Sequence, residues 1–490
     1  MALPRVKTEV KDGALGLVSP GGENVAVLIG ACTSGATNTL LSFGDLQAVE
    51  DTLVSGPLAR EAAFVLDKAG GTVYVVRVPS SVAGAAGAVT KTEPAGKDSE
   101  GTLGVSGAAL DAYSVRVEVL SDGATMAGGG ATFRYALDYS STAPDAATYS
   151  PTYPVPTSGT FAVPGTGLTL TFTDGADAGV VFLNTGDAFT FTTTAPYYSS
   201  SEALAGVDVA LADPALFFKL HLVGTPASVA AAVTLATSLA ARLDSAALAY
   251  RYLYGTIGLP QDTDTNLKAA IVAFANSRME FAAGFADYVS VLDDGGMKGV
   301  AFKASAALAS TARAAQAPVS EHLGRVARGP LGGILRLYRD ERVTPGLDEA
   351  RCTTLRTHVG RPGFFITRGR LMYSPGSDFQ RIEYRRVMDV AARRVSLDAQ
   401  VYVNESVQVD AAGRILEEDA RSIESTLASG LRLELLQPGQ ASDVSVQVIR
   451  TDNIASTGTL RVKARVLPLG YAEFIDVDLG FATPSVQEAA

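Results

Sequence analysis

Few residues able to do chemistry stand in a spacing that would let them do it. Gly30-Ala-Cys-Thr-Ser-Gly35-Ala36-Thr37 follows a short apolar run and has the glycine spacing of a phosphate-binding loop. Ala36 occupies the lysine position, so nucleotide phosphates lose their main side-chain contact and a plain strand-to-loop turn is the stronger reading. Asp262-Thr-Asp264-Thr-Asn266 begins like a calcium loop, but Leu267 and Ala273 replace the obligatory glycine and bidentate glutamate. A helix entry is expected there. His221, His322 and His358 are far apart, and none has a ligand-type neighbour a helical turn away. Cys352 lies near His358 and several arginines, a setting that lowers a thiol pKa, but a cysteine nucleophile also needs an oriented base. Asp293-Asp294-Gly295-Gly296 fits a turn better than a cation site. No catalytic, cofactor or metal residue is assigned, no cofactor is expected, and the chain reads as a non-enzyme.

Composition sets the outer limits. The chain has 490 residues, enough for about three domains. With 47% hydrophobic and 19% charged residues it reads as globular. Its net charge of −11 disfavours nucleic acid as a partner. Cys32 and Cys352 alone cannot build a disulfide framework or a four-thiolate zinc site, and they suit a reducing compartment. The first ten residues lack the apolar core of a secretory signal, and the longest apolar stretch, 228–259, carries Arg242, Asp244 and Arg251. Membrane insertion is not expected.

The elements follow from periodicity. Val25-Ala-Val-Leu-Ile29 reads as a strand covered on both faces. Pro57 opens a helix with Leu58, Ala62, Val65, Leu66 and Ala69 inward, and Gly70-Gly71 stops it before a strand over 72–78. Residues 98–196 change to short alternating runs, with strands expected at 115–119, 132–137, 168–172 and 189–191. Helical composition returns at 226–250 and 266–283, and 287–292 is another buried strand. Further on, 364–369 with 370–373 suggests a hairpin, and 378–395 a helix with Phe379, Ile382, Val387 and Val390 inward. A second helix is expected at 417–429, followed by strands over 444–448 and 460–466. The fold class is therefore α/β and α+β multidomain: a discontinuous α/β core (23–95 and 199–330), an all-β insertion (96–198), a C-terminal α+β domain (331–469), and extended arms at 1–22 and 470–490.

Charge is uneven along this plan. Residues 98–213 hold 2 basic against 13 acidic residues, whereas 325–394 hold 15 arginines against 7 acidic residues. Arg381, Arg385, Arg386, Arg393 and Arg394 share one predicted helix, where alternating carboxylates favour a solvated face or an acidic protein partner over nucleic acid. The two ends are more informative. Val6, Thr8 and Val10 alternate with charged residues ahead of a Gly/Pro-rich leash at 12–22, and Ile475, Val477 and Leu479 alternate after the last compact strand. Each needs a sheet edge to satisfy its backbone. Paired within the chain they are structural; donated to neighbours they link copies heterologously into rings or helices.

In layout across most of its length the chain resembles the contractile tail sheath proteins of bacteriophages and related injection machines. The most specific matches are Val25–Gly30 followed by Phe43-Gly-Asp-Leu46, Thr185-Gly-Asp-Ala-Phe-Thr-Phe-Thr-Thr-Thr-Ala195-Pro196, and the run from Arg361-Pro-Gly-Phe-Phe365 through Leu469-Gly-Tyr471 to Asp478-Leu-Gly-Phe481. The resemblance implies a homo-oligomer of stacked rings in which terminal arms exchange strands with neighbours. Val444, Val446, Val448, Val462 and Val466 are then the acceptor sheet. It implies a core facing an inner tail tube, for which Arg381, Arg385, Arg386, Arg393 and Arg394 are the candidates. Baseplate and tail terminator proteins become further partners, and the location is a virion tail assembled in the bacterial cytoplasm. The action implied is contraction that drives the tube through an envelope for genome delivery. The alternative is a surface adhesin or receptor-binding tail protein using the β insertion; an enzyme with a β accessory module is a third reading.

Overall fold

Ala26–Gly30 is buried along its whole length because strands lie on both sides of it and helices on both faces. It pairs in parallel with Val73–Arg77, in register Leu28 to Val75, and with Lys219–Leu222, in register Ala26 to Lys219. The complete sheet runs Met279–Ala282, Tyr254–Gly258, Lys219–Leu222, Ala26–Gly30, Val73–Arg77, Leu40–Phe43, parallel except for the last strand. Residue period two sorts the side chains. Ala26 and Leu28 join a core with the helices Pro57–Ala69 and Ala306–Gln316, while Val25, Val27 and Ile29 join one with Ser200–Ala212 and Val229–Leu248. The computed structural model describes residues 22, 24–141, 144, 147–175, 181–293, 297–374 and 376–481.

Local chemistry places the helix ends. Pro57 takes the first helical position and Gly70, at φ 63°, closes the helix with its N–H on the Leu66 carbonyl. Ser199 and Glu202 form a reciprocal capping box, and Thr263 caps Asp264–Ile271. Asp262–Asn266 is therefore a helix entry. Gly206 lets its helix approach the sheet: a Cβ there would sit 2.6 Å from Val78 and 2.8 Å from Ile29.

Between the two halves of this sheet the chain builds other sheets. One holds Ala85–Ala86, Ala188–Thr194, Ser114–Ser121, Thr132–Ala136 and Tyr153–Pro154, with Thr90–Thr92 beside Ala188–Thr194. Another holds Thr160–Val163, Leu168–Thr173 and Thr102–Ser106. They share a core containing Phe133, Phe172, Phe182 and Phe189. Arg60, from the helix Pro57–Ala69, reaches across to Asp111 at 2.8 Å and the Tyr113 hydroxyl at 2.9 Å, tying the β region to the α/β sheet. Further along lie a three-stranded sheet (Phe285–Val289 between Ala301–Ser305 and Ile334–Leu337), the hairpin Leu355–His358 with Arg361–Ile366, and the helix Ile382–Ala399. The chain divides into two compact units between Glu405 and Ser406. The second contains the helix Glu417–Leu431, its π-helical continuation Arg432–Leu436, and the hairpin Asp443–Val448 with Val462–Leu467.

Several boundaries differ from the expected ones. The alanine-rich 266–283 stretch is helical only over Asp264–Ile271; Met279–Ala282 is a sheet strand buried on both faces, where polar alternation disappears. The expected hairpin at 364–373 is formed one strand earlier, because His358 and Arg361 pair across a two-residue turn in which Gly360 adopts φ 74°. The following helix starts at Ile382 rather than 378, and Phe379 lies outside it with the Arg385 guanidinium 4.1 Å from its ring centre. Leu40–Phe43 and Leu46–Leu53 were not expected as elements; Asp45 caps the latter.

The parallel sheet carries buried charge. Lys219 Nζ lies 3.0 Å from Glu280 and donates to Ser310 at 3.2 Å, while Glu280 also accepts from Thr256 at 2.5 Å. Beside it, His221 Nε2 sits 3.5 Å from Glu61. Burial, with the Asp111 carboxylate adding repulsion, pushes Glu61 up to about 8. Burial and then Lys219 hold His221 well below its ordinary range. Two expectations follow. Glu280→Ala leaves the Lys219 ammonium buried without its carboxylate and lowers unfolding free energy by ~3–5 kcal/mol in urea titrations. Folded Glu61 keeps a proton that the unfolded chain releases near 4.5, so its contribution to stability falls as pH rises toward 8; His221, neutral when folded, opposes folding only below about 6.5. Unfolding free energy therefore declines between pH 6.5 and 8, and Glu61→Gln flattens that decline.

Candidate functional site

In the second unit, the strand Asp443–Val448 points Val444 and Val448 inward, and the Val448 N–H donates to Glu424 of the helix Glu417–Leu431 at 2.7 Å. Its partner Val462–Leu467 is antiparallel in register Val444 to Val466 and Val448 to Val462. Val446, Val462 and Val466 are half-buried. Arg450 clamps Glu417 and Glu424 beneath this hairpin, which holds both carboxylates below their ordinary range. A two-stranded sheet is marginal alone, and among the described residues neither outer edge carries a further strand.

The segment that follows has the chemistry to cover such an edge. Ile475, Val477 and Leu479 are 77%, 76% and 96% exposed, with Phe474 and Phe481 also exposed. No described strand pairs with residues 470–481. Alternation puts Ile475, Val477, Leu479 and Phe481 on one face, with Asp476 and Asp478 on the other. An apolar row this exposed signals a missing partner. Val6, Thr8 and Val10 lie outside the described residues.

The arginine-rich segment is mostly internal wiring. Arg325 and Arg328 pair with Glu321, Arg336 with Asp287 at 2.6 Å, and Arg339 with Asp264 at 2.8 Å. Arg368 and Arg370 hold Asp348, and Arg394 pairs with Asp398 at 2.9 Å. Four of these five carboxylates, all but Asp348, lie outside 325–394, so a count confined to that window overstates the positive charge. Two of the expected tube-facing residues are corrected. Arg385 is buried beside Asp389 at 2.6 Å, with Arg278 on the same carboxylate. Arg386 is also buried, donating to the Ala317 carbonyl at 3.2 Å and Asn24 at 3.0 Å, with Phe218 against its guanidinium. Both face inward because the next helical turn buries Ile382 and Val390 on the same side. Arg381, Arg393 and Arg394 are half-buried.

The catalytic candidates resolve into packing. Cys352 is fully buried, and burial, reinforced by Glu341, pushes its thiol up to about 12, opposite to the activation its arginine neighbours suggested. His322 accepts from the Gly324 N–H at 3.1 Å, and His358 meets Phe365 edge-on. Gly30–Thr37 is a strand-to-loop turn in which Arg77 donates to the Cys32 and Gly35 carbonyls. Of the Asp293–Gly296 run, 294–296 lie outside the described residues. No cluster of three metal-ligating side chains occurs among the described residues, and no helix there is long and apolar enough to cross a membrane.

This arrangement of sheets and helices is a fold found in chains of contractile injection assemblies. It is shared with a chain of the six-fold symmetrised baseplate of the anti-feeding prophage (10% identity, TM-score 0.52, covering 99% of this chain and 100% of that one). The same baseplate in its contracted state gives 13% identity and TM-score 0.52, with full coverage of both chains. The contracted sheath complex of an extracellular contractile injection system, PVC, gives 10% identity and TM-score 0.50, covering 98% of each chain. The chain itself belongs to the DUF2586 family, whose N-terminal domain matches residues 3–370 and C-terminal domain residues 378–486. No curated protein sequence matches it.

The two kinds of arginine are separable by stability. Arg386→Ala strands the carbonyls of Ala317 and Pro318 and opens a cavity beside Phe218, and is expected to cost ~2–4 kcal/mol in chemical denaturation. Arg394→Ala, which removes a partly exposed i,i+4 pair, costs under ~1 kcal/mol.

Proposed function

We propose that the chain is the structural subunit of a contractile tail sheath, polymerising helically around an inner tube and contracting to drive it through a bacterial envelope for genome delivery. The observation that carries this reading is the exposed apolar row Ile475, Val477, Leu479 and Phe481, presented by a chain that also holds a hairpin with open edges. A segment of that kind donated to a neighbouring copy satisfies its own backbone and extends the acceptor hairpin, Val444, Val446, Val448, Val462 and Val466. Val6, Thr8 and Val10 supply a second donated strand. Because donor and acceptor are different surfaces, the contact is heterologous and propagates. Contraction then needs two packings of the same subunits, with the arms as flexible links between bodies that move.

The fold shared with the PVC sheath supports the reading. The tube, the baseplate and a tail terminator are its further partners, in a virion tail assembled in the bacterial cytoplasm. With Arg385 and Arg386 inside, Arg381, Arg393 and Arg394 remain for the tube. The receptor-binding alternative called for an aromatic groove in the β region. There, Phe161 packs edge-on against Phe133, and Tyr153 stacks on Tyr135, so these rings serve the domain's own core.

Electron microscopy of the purified chain is expected to show hollow tubes or stacked rings. Deleting residues 1–12, or truncating after Gly470, should abolish them while leaving the circular dichroism spectrum and melting temperature of the two units unchanged. Long tubes from either variant would overturn the exchange of arms.

A further inference from the structure

With its ion pairs subtracted, the arginine-rich segment keeps uncompensated charge chiefly around the hairpin Leu355–His358 with Arg361–Ile366. Arg342, Arg356 and Arg361 have no carboxylate within ion-pair distance among the described residues. Of the two acids beside the hairpin, Glu341 is paired with Arg339, and Asp340 is engaged by the Thr357 hydroxyl at 2.5 Å and the Arg342 N–H at 2.9 Å, while Arg342 Nε donates to the same Thr357 at 2.9 Å. His358, paired with Arg361 across the turn, is held below its ordinary range by burial and then by Arg356 and Arg361, which leaves it neutral and the tip positive near pH 7. Val359 at the apex is 84% exposed, and Val343 on the adjoining loop is exposed as well. An apolar centre ringed by cations is the anatomy of a protein-binding patch for an acidic surface.

A counterpart exists in the same chain. In the acidic stretch 98–213, Asp111, Glu118 and Asp208 are already ion-paired within the chain, whereas Asp98 and Asp122 stand exposed. No ion pair joins that region to the tip within one copy: the only cation within ion-pair distance of Asp122 among the described residues is Lys97, at 3.7 Å. We propose that the tip formed by Arg342, Val343, Arg356, Val359 and Arg361 docks on the β region of a second copy at the exposed carboxylates of Asp98 and Asp122. Basic and acidic surfaces at different places on one molecule complement each other head to tail, so the contact propagates rather than closing a dimer. The inference rests on the self-assembling reading above, but not on the exchange of arms.

The test uses the full-length chain with a photo-crosslinking phenylalanine at Val359, together with Arg342→Glu/Arg361→Glu. Crosslinks are expected to map within 98–213 of another copy. Reversal should weaken self-association about tenfold at ~50 mM salt by sedimentation velocity, with the difference shrinking as salt rises. Arg342→Lys/Arg361→Lys, which keeps both charges, should associate as the unsubstituted chain does, and thermal melts check that each variant folds. Crosslinks elsewhere, or tubes and association unchanged by reversal, overturn this contact and leave the sheath reading standing. Tip-to-98–213 crosslinks between copies that never form tubes keep the contact and overturn the sheath reading. A chain that never self-associates overturns both.

Discussion

The parallel pairing of Ala26–Gly30 with Lys219–Leu222 is the constraint on which the remaining architecture of the first unit depends. Its partners are about 190 residues apart, and after Val73–Arg77 the chain must leave the sheet and return to it in register. Closing so long a loop is tolerable only if the intervening chain folds on its own account, since closure entropy grows slowly with length but disordered residues contribute nothing. The β region satisfies this with its own phenylalanine core, and the buried ion pair of Arg60 with Asp111 ties it to the helix Pro57–Ala69. The same pairing brings Lys219 into the sheet interior facing Glu280, with the neutral His221 beside the protonated Glu61. The Lys219–Glu280 charge is therefore buried where the fold is most constrained. A buried pair of this kind adds little net stability, but its loss from one side is costly.

Elements whose physics is local were legible in the sequence. Pro57 and Gly70 bracket a helix because one lacks a donor and the other tolerates positive φ, and the strands over 114–121, 132–136 and 168–173 show the alternation of sheets with one buried face. Elements whose identity is decided by neighbours were not. Met279–Ala282 is a strand because Tyr254–Gly258 waits beside it, and alanine-rich composition carries no trace of that. Leu40–Phe43 is too short and too half-buried to show a period. The hairpin shifted by one strand because Gly360, not Gly369, takes the left-handed turn.

The candidate site was legible in the same uneven way. Ile475, Val477 and Leu479 stand out because alternation followed by no partner is a local pattern, and they are exposed as that pattern requires. The arginines were not, because charge along the chain says nothing about which carboxylate lies opposite. Glu321, Asp287 and Asp264 come from three other elements, and Arg386 ends its side chain on backbone carbonyls. What marks Arg342, Arg356 and Arg361 as different is the absence of a carboxylate within ion-pair distance among the described residues, visible only once the ion pairs of their neighbours are drawn.

An assembly subunit faces a physical problem that an isolated domain does not: it must expose adhesive surface without sticking to itself in the wrong way. The two surfaces proposed here to join copies are chemically unlike. The C-terminal row is apolar and depends on backbone pairing, so it can bind only where a strand edge is open and in register. The hairpin tip is cationic, acts over a Debye length and tolerates misalignment. Acting together, a long-range, forgiving contact orients approaching copies, and a short-range, exacting one fixes them. If the subunit bodies shift while assembled, the second contact must persist through the movement and the first must be able to break. An electrostatic patch between globular surfaces and a strand on a tether have those properties.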